Sequence, residues 1–369
     1  MDIVWLKKDI RLHDHGPLVA SLQSPNPVLL LYLYEPDQLA ESSVHGSHVM
    51  FVQEGLVDLE RRLQQKRQQG GDETVDKFQH VTVCHKTAID TLEAVLQKNQ
   101  IKRIFAHEET GHWASFMRDK QVRKWCRKHK IPFIEFPQSG ATRCLKNRDD
   151  FSKKLQAFMS KPLHKDIDIP LLKSKLVTDL NLPGRIHDAT INQSFLEQFT
   201  EIPKEHRMDR TQREQKGGES IALRTLNSFL YHRGAGYSAG ISSPNTSWTS
   251  CGRVSAYLTW GHLSVRYLHQ QVKKRQEELR ALKKDGGDPG PWLKSLQAFS
   301  ARLHWRSHFM QKLESEPMME KQDLCSAYQH LRRQEGDWNE DFYQAWSTGQ
   351  TGFPFVDACM RCLIQYGWI

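Results

Sequence analysis

The first 140 residues alternate short apolar runs with helical patterns, and this constrains the fold more than any other feature of the chain. Residues 2–7 (DIVWLK), 27–35 (PVLLLYLYE), 80–85 (HVTVCH), 102–108 (KRIFAHE) and 132–138 (PFIEFPQ) are apolar runs rich in β-branched and aromatic residues. Between them, 48–66, 88–99 and 113–129 carry apolar residues at helical spacing. Strands buried on both faces, with helices between them, predict a doubly wound parallel sheet. Ligands in such sheets sit beyond the carboxyl ends of the strands. Here those ends carry Lys7 to Arg11, Glu35 and His107 to Gly111. No G-x-G-x-x-G follows the first strand, so a dinucleotide dehydrogenase fails its first test.

Residues 141–216 are polar and punctuated by prolines, and read as a connector. Residues 70–79 and 283–292 read as surface loops. From Gly217 onward the strand signal gives way to helices. One, within 217–234, begins at about Glu219, carries Leu223, Leu226, Phe229 and Leu230 inward and is stopped by Gly234. Another spans 264–284 with Ser264 as N-cap, and a third spans 292–314. A closing helix after Thr351 and Gly352 places Phe355, Val356, Cys359, Met360, Leu363 and Ile364 on one stripe, and Gly367 stops it. The expected organisation is an α/β domain over 1–140, a connector over 141–216 and an all-α domain over 217–369.

Lys and Arg number 52 against 43 Asp and Glu, a formal charge of +9. That balance leaves a nucleic-acid footprint and an ordinary basic surface equally open. The N-terminus lacks a secretory pattern and no stretch approaches membrane-spanning length. Seven scattered cysteines suit reduced thiols in an intracellular space. Cys359 and Cys362 form a lone C-x-x-C inside the closing helix, expected as core thiols rather than a metal site.

The segment 237–266 concentrates the polar chemistry. A small-residue turn, Ser250, Cys251 and Gly252, precedes Arg253 and Ser255 at the start of an apolar helix. Backbone N–H groups, a hydroxyl and a guanidinium converging there would cradle a phosphate or pyrophosphate. A capped helix with a surface arginine accounts for the same residues.

At these residues the chain resembles the photolyase/cryptochrome family. VWLKKDIRLHDHGPL (4–18), GGESIALRTLNSFL (217–230), CGRVSAYLTWGHLSVR (251–266), RLHWRSHF (302–309) and AWSTGQTGFPFVDACMRCLIQYGW (345–368) follow in family order. The resemblance implies a Rossmann-like antenna domain and a helical FAD-binding domain. It also implies blue-light-driven repair of pyrimidine dimers flipped out of UV-damaged DNA. Tyr237, Cys251, Gly252, Arg253, Val254 and Ser255 match the flavin contacts, and Arg302 stands at a further cofactor position. Trp305 and Arg306 match the catalytic pair facing flavin and lesion. Glu108 and Glu109 match contacts to an antenna pterin such as methenyltetrahydrofolate, or to another antenna chromophore. Trp338 and Trp346 are candidate electron relays. The expected molecule is a monomer without resident metal.

Three departures stand against the family pattern. Cys251-Gly252 replaces two hydroxyl residues, Arg302 replaces a glutamate, and Phe299 replaces a tryptophan. They keep two alternatives open: a cryptochrome-type photoreceptor with a signalling partner, or a flavin-free remnant that binds nucleotide or DNA. In the family the closing GW runs on into further helices. The FAD-binding domain is therefore expected to be truncated here, with Trp368 and Ile369 exposed on a cut core.

Overall fold

The computed structural model describes residues 1–64, 75–208, 215–329, 331 and 337–368. Five parallel strands form as predicted: β1 Asp2–Leu6, β2 Val28–Tyr34, β3 Thr82–His85, β4 Arg103–His107 and β5 Phe133–Phe136. A sixth, β6 Arg185–Ile186, adds antiparallel to β3, and the sheet order is β5-β4-β1-β2-β3-β6. Two residues are too few for any periodicity, so β6 has no sequence signal.

The unbroken apolar runs follow from burial on both faces. Successive side chains alternate across a strand. Val4, Leu6, Leu30, Tyr32, Val83 and Phe105 therefore join one core, beneath the helix Gly46–Gln64. Ile3, Trp5, Leu29, Leu31, Cys84 and Ile104 join the other, with residues of helices Ala88–Lys98 and Trp113–Lys128. β1 pairs with β2 on one side and β4 on the other, so the chain changes winding direction there. The carboxyl ends of these strands open at that point.

The stretch 141–216 is divided between two cores. Leu172, Ile186, Phe195 and Phe199 complete the first sheet core, while Phe151, Leu155 and Met159 enter the helical core. Of the expected loop 70–79, residues 70–74 lie outside the described residues.

The helical part includes Glu219–Ser228, Val265–Lys284 and Trp292–Ser315, with Leu226, Phe229, Leu268, Leu296 and Leu303 at its centre. Ser264 caps the second of these as expected, its hydroxyl accepting from the Tyr267 N–H at 3.3 Å. Buried ions join sheet and helices. Asp14 accepts from Arg266 Nε at 3.1 Å and from the Ser264 hydroxyl at 2.6 Å. Glu219 accepts from the Leu12 and His13 N–H groups.

The closing helix Pro354–Tyr366 ends at Gly367, whose φ of +71° is the left-handed stop expected from its sequence. Asp357 fixes its start by accepting from the Thr351 N–H and hydroxyl, at 2.8 and 2.6 Å. Its apolar stripe is not core, contrary to expectation: Phe355, Val356 and Ile364 are exposed, and Cys359 and Cys362 are half-buried. Amphipathic spacing specifies a face, but burial requires a partner element. Trp368 also departs from expectation, because it packs on Trp248 with ring centroids 4.6 Å apart. Ile369 lies outside the described residues.

Candidate flavin and nucleic-acid site

The helix Pro244–Ser250 ends at Cys251, whose N–H donates to the Ser247 carbonyl at 2.9 Å. That amide closes the helix, so of Cys251 only the thiol and the carbonyl remain for other contacts. Arg253 follows with φ +55°, a left-handed conformation uncommon for residues other than Gly, Asn or Asp. Two hydrogen bonds hold the turn. Arg233 Nη2 donates to the Gly252 carbonyl at 2.8 Å, and Gln215 Nε2 donates to the Arg253 carbonyl at 2.7 Å.

The Arg253 guanidinium lies against the edge-to-face pair of Trp248 and Trp368, 4.6 and 4.7 Å from their centroids. Stacking engages the faces of the guanidinium, whereas phosphate recognition uses its in-plane edge, so the two are compatible. Arg253, Ser255, Trp260 and His48 line one cavity of about 260 Å³. Ser255 is exposed there and Val254 is buried beneath the turn. These residues fit the phosphate end of a flavin nucleotide.

Gly252 and Phe299, two of the departures from the family pattern, touch. A Cβ at Gly252 would stand 2.7 Å from Phe299 Cε2. The Phe299 ring is wedged against Phe229 and Tyr237, with centroids at 4.6 and 5.4 Å. Gly252→Thr is therefore expected to cost about 1–3 kcal/mol through overpacking. Phe299→Ala in the Gly252→Thr background should be less damaging than the sum of the single changes. Additive losses in denaturant unfolding would contradict this contact.

Burial raises the Tyr237 hydroxyl, and the nearby positive charge of Arg302 opposes that rise. Arg302, Tyr237, Phe299 and the turn thus form one patch. Three residues beyond Arg302, Trp305 is 54% exposed. Arg306 turns the other way. Its Nη2 donates to the Leu258 carbonyl at 3.4 Å, its Nη1 has no partner among the described residues, and burial lowers the group to about 10. The expected catalytic pair is therefore split, with Trp305 facing solvent and Arg306 in a cleft.

That cleft, about 530 Å³, lies between the strand ends and the helices, and it contains Lys8, Arg11, Glu108 and Glu109 beside Arg306. Burial would raise Glu109, but the Arg118 guanidinium, Lys8 and Lys7 hold its carboxyl well below the usual range. Glu108 is raised by burial, with Arg143 opposing the shift. Trp338 and Trp346 are exposed, with Tyr343 between them at centroid distances of 5.0 and 6.0 Å.

Lys8 and Arg11 lie in the cleft at the strand ends, where the sequence placed Lys7 to Arg11, whereas sequence reasoning missed Trp248 as the floor for Arg253. The one available signal was an indole five residues before the arginine. A buried trio, Asp9, His15 and His107, has donor atoms close enough for a metal. His15 Nδ1, however, accepts from the Leu18 N–H at 3.2 Å, which puts its proton on Nε2, facing Asp9 at 3.3 Å. A metal at that nitrogen would have to displace this proton.

Residues 2–161 match the family model for DNA photolyase, and residues 299–369 match that for the FAD binding domain of DNA photolyase. Cryptochrome DASH of Gloeobacter violaceus is 26% identical, aligning over 100% of this chain and 69% of its own length. The deoxyribodipyrimidine photo-lyase of Alkalihalophilus pseudofirmus is 24% identical over 99% and 70%. The crystal structure of the Synechocystis cryptochrome superposes with a TM-score of 0.69 at 20% identity, covering 100% of this chain and 72% of that one. The fold is thus a parallel-sheet domain joined to a helical part. The chain belongs to the photolyase/cryptochrome family. The matched domain supports FAD as cofactor, and membership implies DNA binding. Among the described residues no helix is long and apolar enough to cross a membrane.

Proposed function

We propose that this chain is an FAD-dependent, blue-light-driven DNA photolyase that acts on UV-induced pyrimidine dimers. The observation that carries this reading is Trp305, an indole 54% exposed on the same helix face as the cation Arg302. An extruded base can stack on that ring, and Arg302 adds to the attraction for phosphates. Arg253 and Ser255 would hold the flavin pyrophosphate, with Tyr237 and Arg302 beside it. FAD, when bound, supplies the light-excited electron. Trp338, Tyr343 and Trp346 would form an aromatic relay on the surface. Glu108, whose carboxyl is raised, would contact an antenna pterin in the cleft, and the Glu109 charge is already balanced by Arg118.

A cryptochrome-type photoreceptor is the second reading, favoured by Arg302. A guanidinium has donors only and does not replace a glutamate that accepts from a base edge. Binding to dimer-containing and undamaged duplex across a salt series separates the two readings. Repair predicts tighter binding to damaged duplex, with affinity falling steeply as salt rises. No preference for damage, or no dependence on salt, would favour signalling.

Arg253→Ala should weaken FAD binding by about tenfold to a hundredfold, the loss of one charge-assisted contact worth about 1.5–3 kcal/mol. Flavin fluorescence titration reads this directly, and an unchanged Kd would remove Arg253 from the site.

A further inference from the structure

A cavity of about 750 Å³, larger than either site above, lies between the helices Phe151–Ser160, Val265–Lys284 and Trp292–Ser315. It opens on a different face of the last helix from Arg302 and Trp305, neither of which lines it. Leu155, Met159, Val265 and Leu303 form its apolar floor, and Lys273 and Arg280 stand on the rim. His269 and His304 add further basic groups, and no acidic residue lines the cavity.

The chemistry of the rim points to the ligand. Lys273 and Arg280 are without ion pairs among the described residues, although Arg275, on the same helix, pairs with Glu278 at 3.0 Å. The volume lies within the usual range for small-molecule sites, which combine an apolar lining with a few placed polar groups.

We propose that this cavity binds a small amphipathic anion. Its apolar body lies on Leu155, Met159, Val265 and Leu303. Its carboxylate or phosphate meets Lys273 and Arg280. The site is separate from the flavin turn and does not depend on repair activity.

Calorimetric titration of the whole chain with dodecanoate tests this, with neutral dodecyl maltoside and phosphatidylglycerol vesicles as comparison arms. The expected result is saturable dodecanoate binding, weakened about tenfold or more in Lys273→Glu/Arg280→Glu. The maltoside should bind about tenfold more weakly than dodecanoate. Gln297→Trp, at an exposed lining position, should block the mouth and abolish binding without disturbing the fold. Absent binding, equal binding of the neutral probe, or unchanged affinity in both variants would overturn the proposal. Binding to vesicles but not to free dodecanoate would overturn it as a pocket for single molecules.

Discussion

Asp14→Ala is expected to destabilise the chain by about 3–5 kcal/mol, because it leaves the buried Arg266 guanidinium without its counter-ion. Asp14 is 5% exposed, as is Arg266. The carboxylate also accepts from the Ser264 hydroxyl and, at 3.0 Å, from the His164 N–H. One side chain thus ties the loop after β1 to the N-terminus of a helix about 250 residues away in sequence. Asp14 also takes φ +48°, a conformation that Asn tolerates better than Ala. Asp14→Asn should therefore keep the backbone conformation but lose the charge and the hydrogen bonds accepted by one of the two oxygens, and Arg266→Leu in the Asp14→Ala background should recover part of the loss.

The same residue sets an acid limit. Burial would raise its carboxyl, but Arg266, Ser264 and His164 together hold it at about 2. Its pKa is depressed on folding, so its contribution of about 2–3 kcal/mol is complete above the unfolded value near 4. It is lost as pH falls from there toward 2. Denaturant unfolding between neutral pH and pH 3 should show this loss in the wild type and a flatter profile in Asp14→Asn. Identical profiles would rule out the Asp14–Arg266 pair as the lock between sheet and helices.

Trp305→Ala is expected to weaken binding to dimer-containing duplex by about fivefold to 150-fold, the loss of one base-stacking contact worth about 1–3 kcal/mol. Because the indole is 54% exposed, the change should leave thermal stability and affinity for undamaged duplex nearly unaltered. Equal losses on damaged and undamaged DNA would reduce Trp305 to a general contact. No loss on either would remove it from the site.

The sheet was legible because β1 to β4 are buried on both faces and read as nearly unbroken apolar runs, whereas β5 lies at an edge and is only half-buried. Predicted strands 27–35 and 102–108 end within one residue of Val28–Tyr34 and Arg103–His107. The helix at Ser264 was legible through its cap. The closing helix was legible as a helix but not in its burial, since Phe355 and Ile364 have the right spacing and are exposed among the described residues. At the site, residue types located the turn, but local pattern could not reveal what Arg253 touches. Trp368 reaches that guanidinium from more than 100 positions away. The contact of Phe299 with Gly252 likewise places two of the departures side by side in the fold. Arg306 lies in different surroundings from Trp305 because adjacent residues on a helix point about 100° apart. Its pairing in sequence with Trp305 therefore does not place the two side chains on one face.

Light-dependent repair of a defined cyclobutane dimer in duplex DNA, by the chain loaded with FAD, tests the proposed function most directly. Dimer loss under blue light and not in darkness is predicted, slower in Trp305→Ala and faster in Arg302→Glu, which restores an acceptor for the base edge. Efficient wild-type repair that disappears in Arg302→Glu would show that the arginine itself serves the reaction. No repair by any variant, with FAD bound and reducible by light, would contradict the photolyase assignment and leave the photoreceptor reading in its place.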